Sequence, residues 1–414
     1  MTGVADHVDG HRLWSRLMEL ARHGARPDGG VDRPALSGAE AAVRRQLIAW
    51  AAEAGMTAFT DAAANLFLRY EGADPTQAPV LSGSHTDSQP TGGKFDGVFG
   101  VLAALEAVQA LHDAGVRPRR AIEVVAWTNE EGGRFAPNFT GSALFTNRRA
   151  LADVRALVDA DGVTMGDAID AMLSGDTDVA RREFGLPVHA YLELHIEQAD
   201  VLERAGVPIG VVSGIQGTRR YRGRFLGQAA HAGTEPRARR RDALLAGGRA
   251  IIALDARAAQ AAEDFRFTVG MFEVLPGAPS VVPEEVRFSI DIRHPDDDLV
   301  DAFDADLTGI LDREAHPCVA EHHQIVHAPS ITFAPDLCAR LFRNAEALSI
   351  PALGVLSAAG HDARELSYHC PSAMLFVPCR GGISHAPEEW AESEHLTMAT
   401  QILATTLVEL AEEE

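Results

Sequence analysis

What most constrains this chain is a set of short apolar runs, each of which stops at a cluster of ionisable side chains. Residues 79–84, Pro79-Val80-Leu81-Ser82-Gly83-Ser84, lead into a glycine-rich loop and then a helical pattern over 98–114, a β-loop-α unit. A second run over 121–127 is β-branched and bounded by charge, and a third lies at 191–194. Helices alternating with strands predict an α/β sheet. Ligands of such sheets sit beyond the carboxyl ends of the strands, and there this sequence carries His85 and Asp87, Glu130 and Glu131, and His195. Two amphipathic helical patterns, over 8–25 and 38–54, precede the first strand signal and read as scaffold.

The stretch 213–329 has another texture: strand-like 221–226, helix 242–262, strands 265–273 and 286–293, then helix 297–314. It reads as an α+β domain inserted into the first. Helix 336–348 and the apolar run 373–377 then resume the earlier alternation, which assigns 1–212 and 330–414 to one domain and 213–329 to the other. A chain of 414 residues exceeds the size at which a single core usually stops growing.

Charge and cysteine content narrow the partners. With 37 Lys and Arg against 59 Asp and Glu, the net charge of −22 argues against nucleic acid or an anionic membrane surface, while small anions remain admissible in a locally positive pocket. The basic run Arg237-Ala238-Arg239-Arg240-Arg241 reads as a solvated helix start. Cys318, Cys338, Cys370 and Cys379 form no CxxC pair and are too few for a disulfide scaffold, which fits a reducing cytoplasm. The segment from Met1 lacks a basic head and an apolar h-region, and no apolar stretch approaches the roughly 20 residues of a membrane span. The expectation is a cytoplasmic protein.

The ionisable clusters suit metal chemistry. In Gly83-Ser84-His85-Thr86-Asp87-Ser88-Gln89 an imidazole and a carboxylate stand two apart on what reads as a strand end, where period two aims both to one face. Asp87 there orients the His85 ring or ligates directly. Asp96, in Gly92-Gly93-Lys94-Phe95-Asp96-Gly97, has flanking glycines that permit close approach, so its carboxylate is a candidate bridge between two metals. Of the adjacent Glu130 and Glu131 at a strand-to-loop junction, one can bind metal while the other faces the reacting water as general base. His195 and His385 supply imidazoles after two further apolar runs.

Together these motifs resemble the hydantoinase/carbamoylase branch of the M20 metallopeptidase-like amidohydrolases, which includes N-carbamoyl-L-amino acid hydrolases, β-ureidopropionases and allantoate amidohydrolases. The resemblance covers nearly the whole chain and adds Leu194-His195-Ile196-Glu197-Gln198, Ala230-His231-Ala232-Gly233-Thr234, Gly360-His361-Asp362-Ala363 and Ser384-His385. It implies a mixed-sheet, metallo-aminopeptidase-like catalytic domain with an inserted lid and dimerisation domain, hence a homodimer. It further implies two divalent metal ions, Zn or Mn with Co or Ni also accepted. One would be held by His85, Asp96 and His195, the other by Asp96, Glu131 and His385. Asp87 resembles the carboxylate behind His85, and Glu130 the general base that deprotonates the metal-bridging water.

His231 matches the histidine that reaches the neighbouring subunit's active site to stabilise the oxyanion. Arg293 resembles the clamp for a substrate carboxylate, and Gln198 and Gln216 match positions lining the substrate pocket. Three positions depart from the pattern: Ser280 stands where Asn is usual, and Glu235 and Arg237 replace Thr and Met. The implied substrate is a small N-carbamoyl-L-amino acid or related ureido acid, cleaved at its carbamoyl or ureido C–N bond. An M20 peptidase or aminoacylase is the enzyme alternative, and those relatives usually carry a carboxylate where His195 stands. A non-catalytic ligand-binding protein on the same scaffold predicts a lost ligand or base, yet His85, Asp96, Glu130, Glu131, His195 and His385 are all present.

Overall fold

In the computed structural model, which describes residues 3–413, the chain divides into two compact units. One runs through Ser213 and resumes at Thr332; the other is Gly214–Ile331. Met1, Thr2 and Glu414, assigned above to the first domain, lie outside the described residues.

The first unit is built on a ten-stranded mixed sheet. At its centre Ser372–Val377, Ala190–Ile196, Val80–His85 and Ile122–Trp127 lie side by side and parallel. Every residue of Val80–His85 and of Ala190–Ile196 is buried, as expected of parallel strands covered on both faces. Leu66–Tyr70 continues the sheet antiparallel to Ile122–Trp127, Thr57–Thr60 pairs antiparallel with Leu66–Tyr70, and on the other side Ile209–Ile215 runs antiparallel to Ser372–Val377. The helix Val98–Asp113 is apolar nearly all round and correspondingly buried between the sheet and Ser393–Ala411. Its one buried carboxylate, Glu106, receives a two-pronged guanidinium contact from Arg12, with both N–O distances 2.7 Å.

Two strands, Thr57–Thr60 and Leu66–Tyr70, precede the run that the sequence reading takes as the first strand. They are short, and the turn joining them is held by the Asp61 carboxylate, which accepts the backbone N–H groups of Ala63 and Asn65. Neither has the length or alternation that periodicity detects.

The second unit has a four-stranded antiparallel sheet in the order Arg266–Leu275, Glu285–His294, Gly217–Leu226, Val319–Ala328. Helices Ala243–Ala261 and Asp297–Ala315 pack with it around a core that includes Phe225, Phe288, Ile292, Phe303 and Leu307. Asp242 caps the first helix by accepting from the N–H groups of Leu244 and Leu245. Val319–Ala328 escapes sequence reading because it is an edge strand rich in His, Glu and Gln, with no buried face of its own. The Arg237–Arg239 segment is an exposed single turn of 3-10 helix, one step before Ala243–Ala261. Among the described residues no helix is long and apolar enough to cross a membrane.

Candidate metal centre

The four parallel strands deliver their last residues to one edge of the sheet. Val80–His85 ends on His85 itself, Ile122–Trp127 leads into Glu130 and Glu131, Ala190–Ile196 carries His195, and the loop after Ser372–Val377 carries His385. Asp96 comes from the loop before Val98–Asp113 and sits among them.

Two groups of donor atoms converge there, His85 with Asp96 and His195, and Asp96 with Glu131 and His385, each with its atoms within 4.8 Å of one another. Asp96 belongs to both. Its Oδ1 lies 3.4 Å from His85 Nε2 and 3.3 Å from His195 Nε2, while Oδ2 lies 3.4 Å from His385 Nε2. His385 Nε2 is also 3.4 Å from Glu131 Oε2. Glu130 Oε2 is 3.6 Å from His85 Nε2, beside the first group and outside both.

The ring orientations fit metal ligation. His85 Nδ1 contacts the Asp87 carbonyl oxygen at 3.0 Å and His195 Nδ1 the Ile196 carbonyl oxygen at 2.9 Å. A carbonyl only accepts, so each Nδ1 carries a proton and each Nε2, the nitrogen facing Asp96, is the one placed to ligate a metal. His195 Nε2 also accepts the Gly97 N–H at 3.2 Å, in keeping with that tautomer. Mixed imidazole and carboxylate donors are those of Zn, Mn, Co or Ni sites.

Local backbone explains how the loops hold these positions. Gly97 has φ +64°, and a Cβ there would lie 2.2 Å from the His85 ring, so no side chain is tolerated behind that ligand. Three non-glycine residues of the site, Asn129, Gln198 and His385, also adopt positive φ, at 56°, 57° and 54°. Such conformations are disfavoured and persist where surrounding contacts impose them.

Charge crowding sets the protonation of these groups. Burial would raise the Asp96 carboxyl, but the imidazoles of His195, His385 and His85 hold it well below the usual carboxylate range. His385 is raised to about 9, chiefly by its hydrogen bond to Asp96. Burial pushes Glu130 well above an ordinary glutamic acid, against the opposing pull of His85.

The strand ends at His85, so Asp87 lies beyond the period-two register, yet its carboxylate stands behind the ring, 3.6 Å from His85 Nδ1. It also accepts the backbone N–H of Glu130 and of Glu131, both at 3.2 Å. Gln198 points its amide nitrogen at Asp96 Oδ2, 2.7 Å away, and its buried Oε1 has no hydrogen-bond partner.

The remaining candidates belong to the second unit. His231 is exposed on a two-residue ladder in which it pairs with Val281, next to Ser280. Its Nδ1 accepts the N–H groups of Gly233 and Thr234 at 3.0 and 3.2 Å, which leaves the proton on Nε2. Ser280 is exposed, and its carbonyl accepts from Ala232. Arg293 pairs with both carboxylate oxygens of Asp291. Gln216 is buried and in sequence follows Ile209–Ile215 and precedes Gly217–Leu226. Glu235 pairs with Arg239, and Arg237 is exposed.

Several buried groups escaped the sequence reading. Glu193, two residues before His195, accepts the Ser84 hydroxyl at 2.7 Å and the Ala363 N–H at 2.8 Å, tying the floor of the site together. Its place on a fully buried strand, alternating with His195, is the signal that would have found it. Glu389, four residues after His385, offers no such period.

This chain belongs to peptidase family M20/M25/M40, whose sequence model matches residues 81–409. It is 37% identical over 419 residues to an N-carbamoyl-L-amino acid amidohydrolase of Geobacillus stearothermophilus, covering 98% of this chain and 100% of that protein. An allantoate amidohydrolase of Bacillus subtilis is 33% identical over 401 residues, 95% of each chain. Among solved structures, an amidase of the hydantoinase/carbamoylase family from Burkholderia multivorans has TM-score 0.91 at 41% identity, covering 98% of each chain. Within its family, then, the chain is a hydrolase of carbon–nitrogen bonds other than peptide bonds, in linear amides.

Proposed function

We propose that the chain hydrolyses the carbamoyl or ureido C–N bond of a small N-carbamoyl-L-amino acid or related ureido acid at a pair of divalent cations, with Glu130 as general base. One observation carries the reading: the Asp96 carboxylate is common to two donor groups, and Glu130 stands beside one of them. His85, Asp96 and His195 would hold one cation and Asp96, Glu131 and His385 the other. Bound divalent cations supply Lewis acidity and make water easier to deprotonate.

The chain's own groups do the rest. Glu130 takes a proton from the attacking water on its carboxylate and passes it to the departing nitrogen. A carboxyl raised by burial is suited to hold that proton between the two events. As the water oxygen bonds to the ureido carbon, the C–N bond breaks and releases the amine together with a carbamate, which decomposes to carbon dioxide and ammonia. Asp87 keeps the Glu130 and Glu131 peptides in place through its two accepted hydrogen bonds. The unpartnered Gln198 Oε1 is an acceptor for a ureido N–H.

His231 donates from Nε2 to the substrate's carbonyl oxygen across a homodimer formed through the 213–329 domain; the two backbone donors on Nδ1 support that tautomer. Arg293 clamps the substrate carboxylate, with Gln216 and Ser280 lining the pocket and the Ser280 hydroxyl in place of an amide. The relatives' activities on N-carbamoyl-L-amino acids and allantoate support the substrate class. Four free thiols support a cytoplasmic setting.

The test is an ammonia-release screen over N-carbamoyl-L-amino acids, N-carbamoyl-β-alanine, allantoate and ureidoglycolate with added Mn or Zn. Metal-dependent release from at least one is expected. Silence across the whole panel with either metal contradicts the proposal.

A further inference from the structure

Glu389 is assigned no role in the chemistry above, yet it grips the site from behind. It is 2% exposed, and burying a carboxylate is costly unless its oxygens are satisfied. Oε1 accepts the backbone N–H of Phe95 at 2.9 Å and of Asp96 at 3.1 Å. Oε2 lies 3.1 Å from the Ser384 hydroxyl, which is itself 2.8 Å from Asp96 Oδ2. One carboxylate thus touches the peptide that carries Asp96 and the residue immediately before His385.

Two further features are built around that contact. A Cβ at Gly93 would lie 2.1 Å from Glu389 Cδ and Oε1, so the glycine in this loop makes room for Glu389. The Phe95 ring packs edge-on against Trp390 at 5.8 Å and tilted against Trp14 at 5.7 Å, which anchors the same loop by its side chain while Glu389 anchors it by its backbone. The loop before Val98–Asp113 and the loop after Ser372–Val377 come from distant parts of the chain, and Glu389 bonds to both.

We propose that Glu389 is the positioning residue for the second cation position: by tying the Asp96 loop to the Ser384-His385 loop it sets the spacing of Asp96, Glu131 and His385. The inference rests on the two-cation reading of the site. Groups behind metal ligands typically alter metal affinity by about 10–100-fold when removed. Because Asp96 is common to both groups while the Ser384-His385 loop serves the second alone, and His85 and His195 are held by contacts Glu389 does not make, its loss weakens the second ion most.

The test compares the full-length wild type with Glu389→Ala, Glu389→Gln and Gly93→Ala. Metal-free protein is titrated with Mn or Zn against a chromophoric chelator, alongside kcat, KM and the melting curve of the metal-free form. The glutamine keeps an oxygen for the Phe95 and Asp96 N–H groups and donates from its nitrogen to the Ser384 oxygen, leaving the serine hydrogen for Asp96. The wild type is expected to bind two ions. Glu389→Ala and Gly93→Ala should bind the second at least about tenfold more weakly, with kcat falling more than KM changes, and Glu389→Gln should recover most of the loss. A wild type with two ions and an alanine variant that binds both as tightly overturns this inference alone. So does a glutamine variant as impaired as the alanine with an equally lowered melting temperature, which marks a merely structural residue. A wild type holding fewer than two ions overturns the two-cation reading, and this inference with it.

Discussion

Asp87 Oδ1 accepts the backbone N–H of Glu130 at 3.2 Å, so the loop that follows His85 is pinned to the loop that carries Glu130. The other oxygen does the same for Glu131, and the Asp87 carbonyl meets the His85 ring. One residue therefore fixes an imidazole tautomer and two neighbouring carboxylates.

Asp87→Ala removes both accepted hydrogen bonds and leaves two buried N–H groups without partners. Metal affinity and kcat are expected to fall by about 10–100-fold. A chelator titration and steady-state rates check this; unchanged values would mean that the Glu130-Glu131 loop holds itself.

Glu130→Gln retains shape and removes the proton acceptor. The expected loss in kcat is about 10²–10⁴-fold, with the metal content of the purified chain unchanged. A variant that keeps wild-type turnover assigns the base elsewhere.

Gly97→Ala forces a Cβ into the His85 ring at a backbone angle that disfavours side chains. It should destabilise the chain by more than about 1 kcal/mol and weaken metal binding at the first group. Denaturant unfolding of the metal-free form gives the first quantity, and wild-type stability there would show that the ring moves aside freely.

His385, raised to about 9 by its contact with Asp96, holds a proton at neutral pH in the metal-free chain. A cation needs the neutral ring, so binding at pH 7 must expel that proton, and affinity must fall as the solution is acidified. Calorimetry in buffers of different ionisation enthalpy should give a binding heat that varies with the buffer. A buffer-independent heat contradicts the assignment of His385.

The parts of this site legible in the sequence are those where a strand ends on a ligand. Val80–His85 and Ala190–Ile196 are buried apolar runs, and an imidazole at or near the end of such a run has few other reasons to be there. Asp96 was legible only through its flanking glycines, and Glu389 not at all: it lies in a loop, where no period relates a residue to its surroundings, and its contact with Asp96 joins positions 293 apart in the chain. Asp87 illustrates a second limit: alternation predicts its direction only while the strand lasts, and the strand stops two residues earlier. The short strands Thr57–Thr60 and Leu66–Tyr70 were hidden for a related reason, since their pairing is fixed by the turn at Asp61 and by the neighbouring strand more than by their own pattern.

The claim on which the chemistry depends is that a single carboxylate serves two cations. Metal content per chain, measured by elemental analysis after equilibration with Mn or Zn, tests it on the wild type and on Asp96→Ala. Two ions in the first and none retained in the second is the expected pair of results. Two ions in both, or one lost and one kept at full affinity, would contradict it.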